Sequence, residues 1–215
     1  MKLKLYFLII LTPIYSSFFA QKQLVPKKLT NEKKINSIKI GNQTWMAFNL
    51  NVVRFNNGDI IPEARTNDEW RSALKLHQPA WCNFENSYSF GSKYGKLYNY
   101  YAVSDKRGLV PIGWHIPSDK EWNELETFIG PDDVGAKLKS IENWKIDDFS
   151  SDIYKFNALP SGGRYRTGEF TAIGEFACWW ESNSENTGRF LIYNNEKLNK
   201  LVEKGMGISI RLIKN

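Results

Sequence analysis

The 215 residues carry 29 Lys and Arg against 23 Asp and Glu, a formal charge of +6. Most of the excess lies near the start: Lys2 and Lys4 open the chain, Lys22, Lys27, Lys28, Lys33 and Lys34 face only Glu32, and from Ile38 onward 22 basic residues meet 22 acidic ones. A nucleic-acid binder needs cations clustered on its folded surface, so nucleic acid is set aside; two cysteines exclude a disulfide-built scaffold, and no apolar run reaches the roughly 20 residues of a membrane-spanning helix.

Taken in chain order, Lys2 and Lys4 precede an apolar run from Leu5 to Leu11, a break at Pro13 and small or polar residues up to Ala20. That layout predicts a secretory signal peptide over 1–20 and hence a secreted protein, in the periplasm or the medium. No cysteine occurs before Cys82, so no lipid anchor is expected. Residues 21–37 form a basic, Pro-containing spacer that reads as a flexible linker. The remaining 38–215 has the length of one domain, long enough to bury a core without staples. Most of its 8 Trp, 8 Tyr and 10 Phe must serve as packing material for short elements.

Gly41-Asn42 and Asn57-Gly58 each separate short extended runs and predict hairpin turns. Thr66 followed by Glu69 has capping-box spacing, with Trp70, Ala73 and Leu74 on one face of a helix ending near His77. Ser118 and Glu121 repeat the device. Trp122, Leu125 and Ile129 then form an apolar stripe that Gly130-Pro131 terminates. Asp132 to Ser140 predicts a short third helix, weakened by Gly135. Beyond Phe156 strands and turns take over: Arg164 to Arg166 against Phe170 to Ile173, a buried strand from Ala177 to Trp180, hairpin arms around Asn194-Asn195, and a closing strand from Gly207 to Ile213. Helices gathered early and strands late give an α+β domain.

Tyr94-Gly95-Lys96-Leu97-Tyr98-Asn99-Tyr100-Tyr101-Ala102-Val103 and Gly113-Trp114-His115-Ile116-Pro117-Ser118-Asp119-Lys120-Glu121-Trp122 stand out as one ordered block. With Ile40 to Met46, Phe156 to Gly163, Trp179-Trp180 and Gly207 to Arg211, the block resembles the Fibrobacter succinogenes major paralogous domain, a bacterial secreted module. The resemblance covers nearly everything after residue 38. By that family's similarity to formylglycine-generating-enzyme-like domains it implies a C-type-lectin-like single domain with two main helices and several short antiparallel strands. It implies no activity. Formylglycine-generating oxidase chemistry needs two nearby cysteines late in the chain, where only Cys178 stands, so that activity is not expected. Relatives usually place Cys where Val110 and Leu212 stand, and their joint replacement implies a buried apolar contact in place of a disulfide. Cys82 and Cys178 fall on neither position, and whether they pair stays open.

His115 and His77 are the only histidines. His115, in a turn before a capped helix, is expected to make a structural hydrogen bond. No catalytic residue and no metal site are predicted. Calcium has weak support as a cofactor from the oxygen-rich run Glu181 to Asn186, which lacks a tightly spaced calcium-loop motif. Successive strand residues face opposite ways. Trp179 and Trp180 therefore cannot share one core layer, and one of them is a candidate for exposure. The expected ligand-binding set is Trp180, Arg164, Arg166, Glu181 and Asn183, with the Trp stacking and the others hydrogen-bonding. These residues lead to a secreted, non-catalytic binding or surface module for carbohydrate or cell-envelope polymer. The alternative is an extracytoplasmic enzyme acting on polysaccharide or glycopeptide, which would need two pocketed carboxylates.

Overall fold

The computed structural model describes residues 35–145, 150–182, 187–200, 202–203 and 205–215. The predicted signal peptide and nearly all of the predicted linker lie outside them. In chain order the elements are β1 (Ser37–Ile40), β2 (Gln43–Met46), α1 (Asn67–Lys75), β3 (Trp81–Cys82), α2 (Tyr88–Tyr94), β4 (Leu97–Tyr98), α3 (Tyr100–Val103), β5 (Trp114–His115) and α4 (Asp119–Ile129). They continue with α5 (Val134–Leu138), β6 (Ser161–Arg164), β7 (Phe170–Ile173), β8 (Phe176–Trp180), β9 (Gly188–Ile192), β10 (Asn199–Lys200) and β11 (Ile213–Lys214). The domain is mixed α and β with short antiparallel strands. Among the described residues no helix is long and apolar enough to cross a membrane.

The last strand is built into the domain's first sheet. β11 lies between β2 and β5 in a sheet of order β1-β2-β11-β5, with Ile213 opposite both Trp45 and His115. A second sheet has order β10-β9-β8, and β3-β4 and β6-β7 form separate pairs. The predicted closing strand is interrupted: Gly207, Ile208 and Ser209 make single bridges to Arg164, Tyr98 and Trp179 before β11 begins. Those bridges draw the β6-β7 pair, β4 and β8 around one segment.

Both predicted capping boxes form. Thr66 Oγ1 accepts the Glu69 N–H at 3.1 Å while Glu69 accepts the Thr66 N–H at 2.9 Å. Ser118 and Glu121 do the same at 3.4 and 2.8 Å. These contacts satisfy N–H groups that a helix start leaves without intrahelical partners. Trp122, Leu125 and Ile129 bury the α4 stripe, whereas α1 buries Trp70 alone.

The expectation that Trp179 or Trp180 reaches the surface needs correcting, because both are fully buried. The alternation rule itself holds. Ala177 and Trp179 join one apolar cluster with Trp45, Trp122 and Phe156, and Cys178 and Trp180 join another with Tyr98, Ile208, Ile210 and Leu212. Two cores flank β8, so neither tryptophan is left over. Val110 packs against the second cluster, which contains Leu212. Leu212 is buried as expected, while Val110 is only half-buried.

A third large buried side chain, Arg211, crosses the core without a hydrogen-bonded carboxylate among the described residues. Its guanidinium donates to Asn49 Oδ1 at 2.8 Å, to the Met46 carbonyl at 3.1 Å and to the Phe156 carbonyl at 2.6 Å, and it lies 4.4 Å from the Phe156 ring centre. Burial pushes its pKa down to about 9, but carbonyl acceptors this close favour the charged form. Arg211 thus ties β2 to the loop before β6.

Candidate functional site

A recess of about 480 Å³ is lined by Arg71, Leu74, Lys75, His77, Tyr100, Tyr101, Arg166, Thr167 and Gly205, a size common for small-ligand sites. Its first wall is α1. Arg71, Leu74 and Lys75 stand at i, i+3 and i+4, neighbouring positions on one helical face. After the cap at Leu76 the backbone turns left-handed at His77, with φ of 54°. The His77 ring then lies 5.0 Å from the ring of Tyr101, tilted by 32°.

Tyr100 and Tyr101 begin α3, the second wall, and Asn99 sets their position. Its side-chain oxygen accepts the N–H of Ala102 and the N–H of Ala80, both at 3.0 Å, and its amide donates to the Gln78 carbonyl at 2.8 Å. One fully buried carboxamide therefore caps α3 and fixes it to the chain leaving α1. Tyr100 is supported from beneath by Trp180, edge-on at 5.7 Å. The Trp180 indole N–H donates to the Tyr98 carbonyl at 2.8 Å.

The third wall is the turn between β6 and β7. Gly168 has φ of 96°, and a Cβ there would stand 2.6 Å from Asn67 Cα, so only glycine lets the turn approach the start of α1 this closely. Arg71 donates to the Thr167 carbonyl at 3.0 Å. Arg164, beneath the turn, donates to the carbonyls of Gly168 at 2.7 Å and Ala64 at 2.6 Å and packs over the Trp70 and Phe170 rings. Gly205 completes the lining; a Cβ there would stand 3.0 Å from Arg166 Cβ and 3.4 Å from Leu74 Cδ1.

Of the four described residues expected to bind ligand, Arg166 alone lines this recess, with its side chain 72% exposed. Trp180 and Arg164 are fully buried and Glu181 nearly so, which corrects their assignment as surface contacts. Arg164 and Arg166 stand on one face only in an uninterrupted strand, and β6 ends at Arg164. Glu181 accepts from Arg189 Nε at 2.8 Å and belongs to a polar knot in which Arg189 also reaches Asp119 and Asn123. Asn183 lies outside the described residues. Trp180 and Arg164 form the layer under the recess, and the contacting groups are their neighbours. Tyr100 and Tyr101 stood in the ordered sequence block, and the Arg71/Lys75 spacing on α1 was readable. Nothing local indicated that these would meet Arg166 and Thr167.

The remaining candidates are accounted for by structure. His115 Nε2 lies 2.6 Å from Glu121 Oε1, and its Nδ1 lies 2.7 Å from Asn215 Oδ1. This histidine therefore links β5, α4 and the last residue by hydrogen bonds, as expected. Burial works to raise the Glu121 pKa, but hydrogen bonds from the Ser118 backbone and hydroxyl and from His115 outweigh it and hold the carboxyl below its ordinary value. Cys82 and Cys178 are free and buried. Burial pushes Cys82 up to about 11 and raises Cys178 as well, so both thiols stay protonated and unreactive at neutral pH. Among the described residues no group of three or more His, Cys, Asp and Glu could hold a metal ion; the run weakly supported for calcium, Glu181 to Asn186, lies outside them apart from Glu181 and Ser182.

The family model of the Fibrobacter succinogenes major domain matches residues 38–214. The chain belongs to that family. The matched span contains every described residue that lines the recess, so these residues belong to the domain. No curated protein and no solved structure matches the chain significantly.

Proposed function

We propose that this Fibrobacter succinogenes major domain is a secreted, non-catalytic binding module with a C-type-lectin-like fold, and that its recess takes carbohydrate or other cell-envelope material. Secretion rests on the charged and apolar pattern of residues 1–20. The fold assignment rests on the resemblance of the Gly113 to Trp122 block and on the return of the final strand beside the first hairpin. The binding reading is carried by one observation: two half-buried tyrosines and Leu74 supply apolar surface while Arg71, Lys75, Arg166 and Thr167 supply hydrogen-bonding groups around them. A sugar presents the matching mixture, an apolar ring face and hydroxyls at its edge, and aromatic rings with one polar end suit such partners. No carboxylate lines the recess among the described residues, so the paired acids of a glycosidase are not gathered there. Cofactors do not enter this reading.

The test is an array of glycans and cell-wall polymers probed with the purified protein and with Tyr101→Ala. A ligand whose binding drops about tenfold or more in the variant, with the fold intact, supports the recess as the site. A ligand that binds both proteins equally places recognition elsewhere.

A further inference from the structure

We infer that the ligand of this recess carries a carboxylate or phosphate group, held between Lys75, Arg71 and Arg166; this rests on the binding reading above and narrows it to acidic saccharides. The charge pattern carries the argument. The domain from Ile38 onward is balanced, and several of its described cations are engaged away from the recess. Arg164 and Arg211 are buried against carbonyl groups. Arg189 and Lys200 bind Asp119, Arg107 binds Asp105 and Asp59, Lys137 binds Asp133, and Lys145 binds Glu175.

The recess gathers three cations in its lining with no carboxylate among the described lining residues. Lys75 has no ion-pair partner among the described residues. Arg166 has only Glu203, at 3.8 Å, and both side chains are more than half exposed. Arg71 is held by the Thr167 carbonyl and by Asp68, which fixes its position at the wall. Exposed pairs of this kind contribute little, so an incoming anion can replace water and the loose Glu203 contact at small cost. The Arg side chains offer the planar fork that matches a two-oxygen anion, and Lys75 adds a point charge. Tyr100 and Tyr101 lie beside these cations, placing a ring-binding surface next to an anion-binding one. An acidic sugar unit has both features.

The experiment measures affinity by calorimetry for oligogalacturonate, for its methyl ester and for poly(glycerol phosphate), using the purified protein, the Lys75→Gln/Arg166→Gln variant and Tyr101→Ala. The expected result is binding of the carboxylate or the phosphate polymer, with the two anionic arms showing which source is preferred. The ester should bind about tenfold more weakly than the acid, and the double variant should lose about tenfold in affinity while its Tm shifts by no more than about 2 °C. Equal binding of acid and ester, or full affinity in the double variant, overturns the anion inference. If the ester binds and Tyr101→Ala abolishes that binding, the recess reading survives on its own. Failure of all three probes to bind also overturns the anion inference, and the glycan array then decides the recess reading separately.

Discussion

Helices α1 and α4 begin alike and end in different roles. Each opens with a reciprocal capping box and carries a fully buried tryptophan at the position after the capping Glu, Trp70 and Trp122. Beyond that turn they diverge. α4 also buries Leu125 and Ile129, and its acidic side chains Asp119 and Glu126 are engaged by Arg189 from β9, which makes it scaffold on two faces. α1 buries nothing further and leaves Arg71, Leu74 and Lys75 beside an open recess. A helix start reports where a helix is, and the state of its later turns reports whether it is used.

Breaking the scaffold helix should have the largest effect. Trp122 lies 4.7 Å from the Trp45 ring and 5.8 Å from Trp179, so Trp122→Ala removes the centre of one core and should cost about 3–5 kcal/mol in urea denaturation. A loss below about 1 kcal/mol would show that the aromatic cluster repacks around the gap. A smaller effect is expected at the recess. Asn99→Ala leaves the Ala80 and Ala102 N–H groups and the Gln78 carbonyl without this partner, for a cost of about 1–3 kcal/mol. It should also weaken any ligand whose binding depends on Tyr101, because the side-chain bonds between the two walls are lost and only the backbone bond from residue 99 to the Ala80 carbonyl remains. Full ligand affinity in a folded Asn99→Ala protein would show that the recess is held by other contacts.

The smallest effect separates the capping boxes by pH. Glu69 is held below its ordinary value by hydrogen bonds from the Thr66 and Arg65 backbone, and Glu121 by those from Ser118 and His115 against the opposing effect of burial. A carboxyl lowered on folding adds stability that is complete above its unfolded value and is lost as pH falls through the folded one. Stability should therefore decline on acidification below about pH 4.5, the ordinary value for both residues. Glu121→Gln should flatten that decline more than Glu69→Gln, since Glu121 is less exposed and also binds His115. Melting temperatures across pH 3 to 6 check the order; a larger change with Glu69→Gln would reverse it.

Much of the local architecture was legible in the chain. The capping boxes, the Gly130 stop, the β1–β2 hairpin at Gly41-Asn42 and the β9–β10 hairpin fall where turn and spacing rules put them, while the β6–β7 hairpin keeps its turn at Thr167-Gly168 but takes Ser161–Arg164, not Arg164 to Arg166, as its first arm. The short helices α2 and α3 were not, because four to seven residues contain too few periods to distinguish a helical face from an aromatic strand. Gly135 was read as a weakness in α5, yet a Cβ there would stand 2.5 Å from the Glu196 carbonyl oxygen. A close approach between distant segments explains that glycine.

The sequence by itself determined the starts of α1 and α4, the turn of the first hairpin and the opposite facing of Trp179 and Trp180, since each depends on residues within about four positions along the chain. Tertiary structure decided what lay on the other side of each face. It buried both tryptophans by supplying a second core, confined Arg164 beneath the turn that exposes Arg166, and joined Arg71 to Thr167 across 96 positions of sequence. Burial is a property of the segment that arrives to cover a side chain, and in this domain the covering segments, Ile208 to Leu212 above all, come from the far end of the chain.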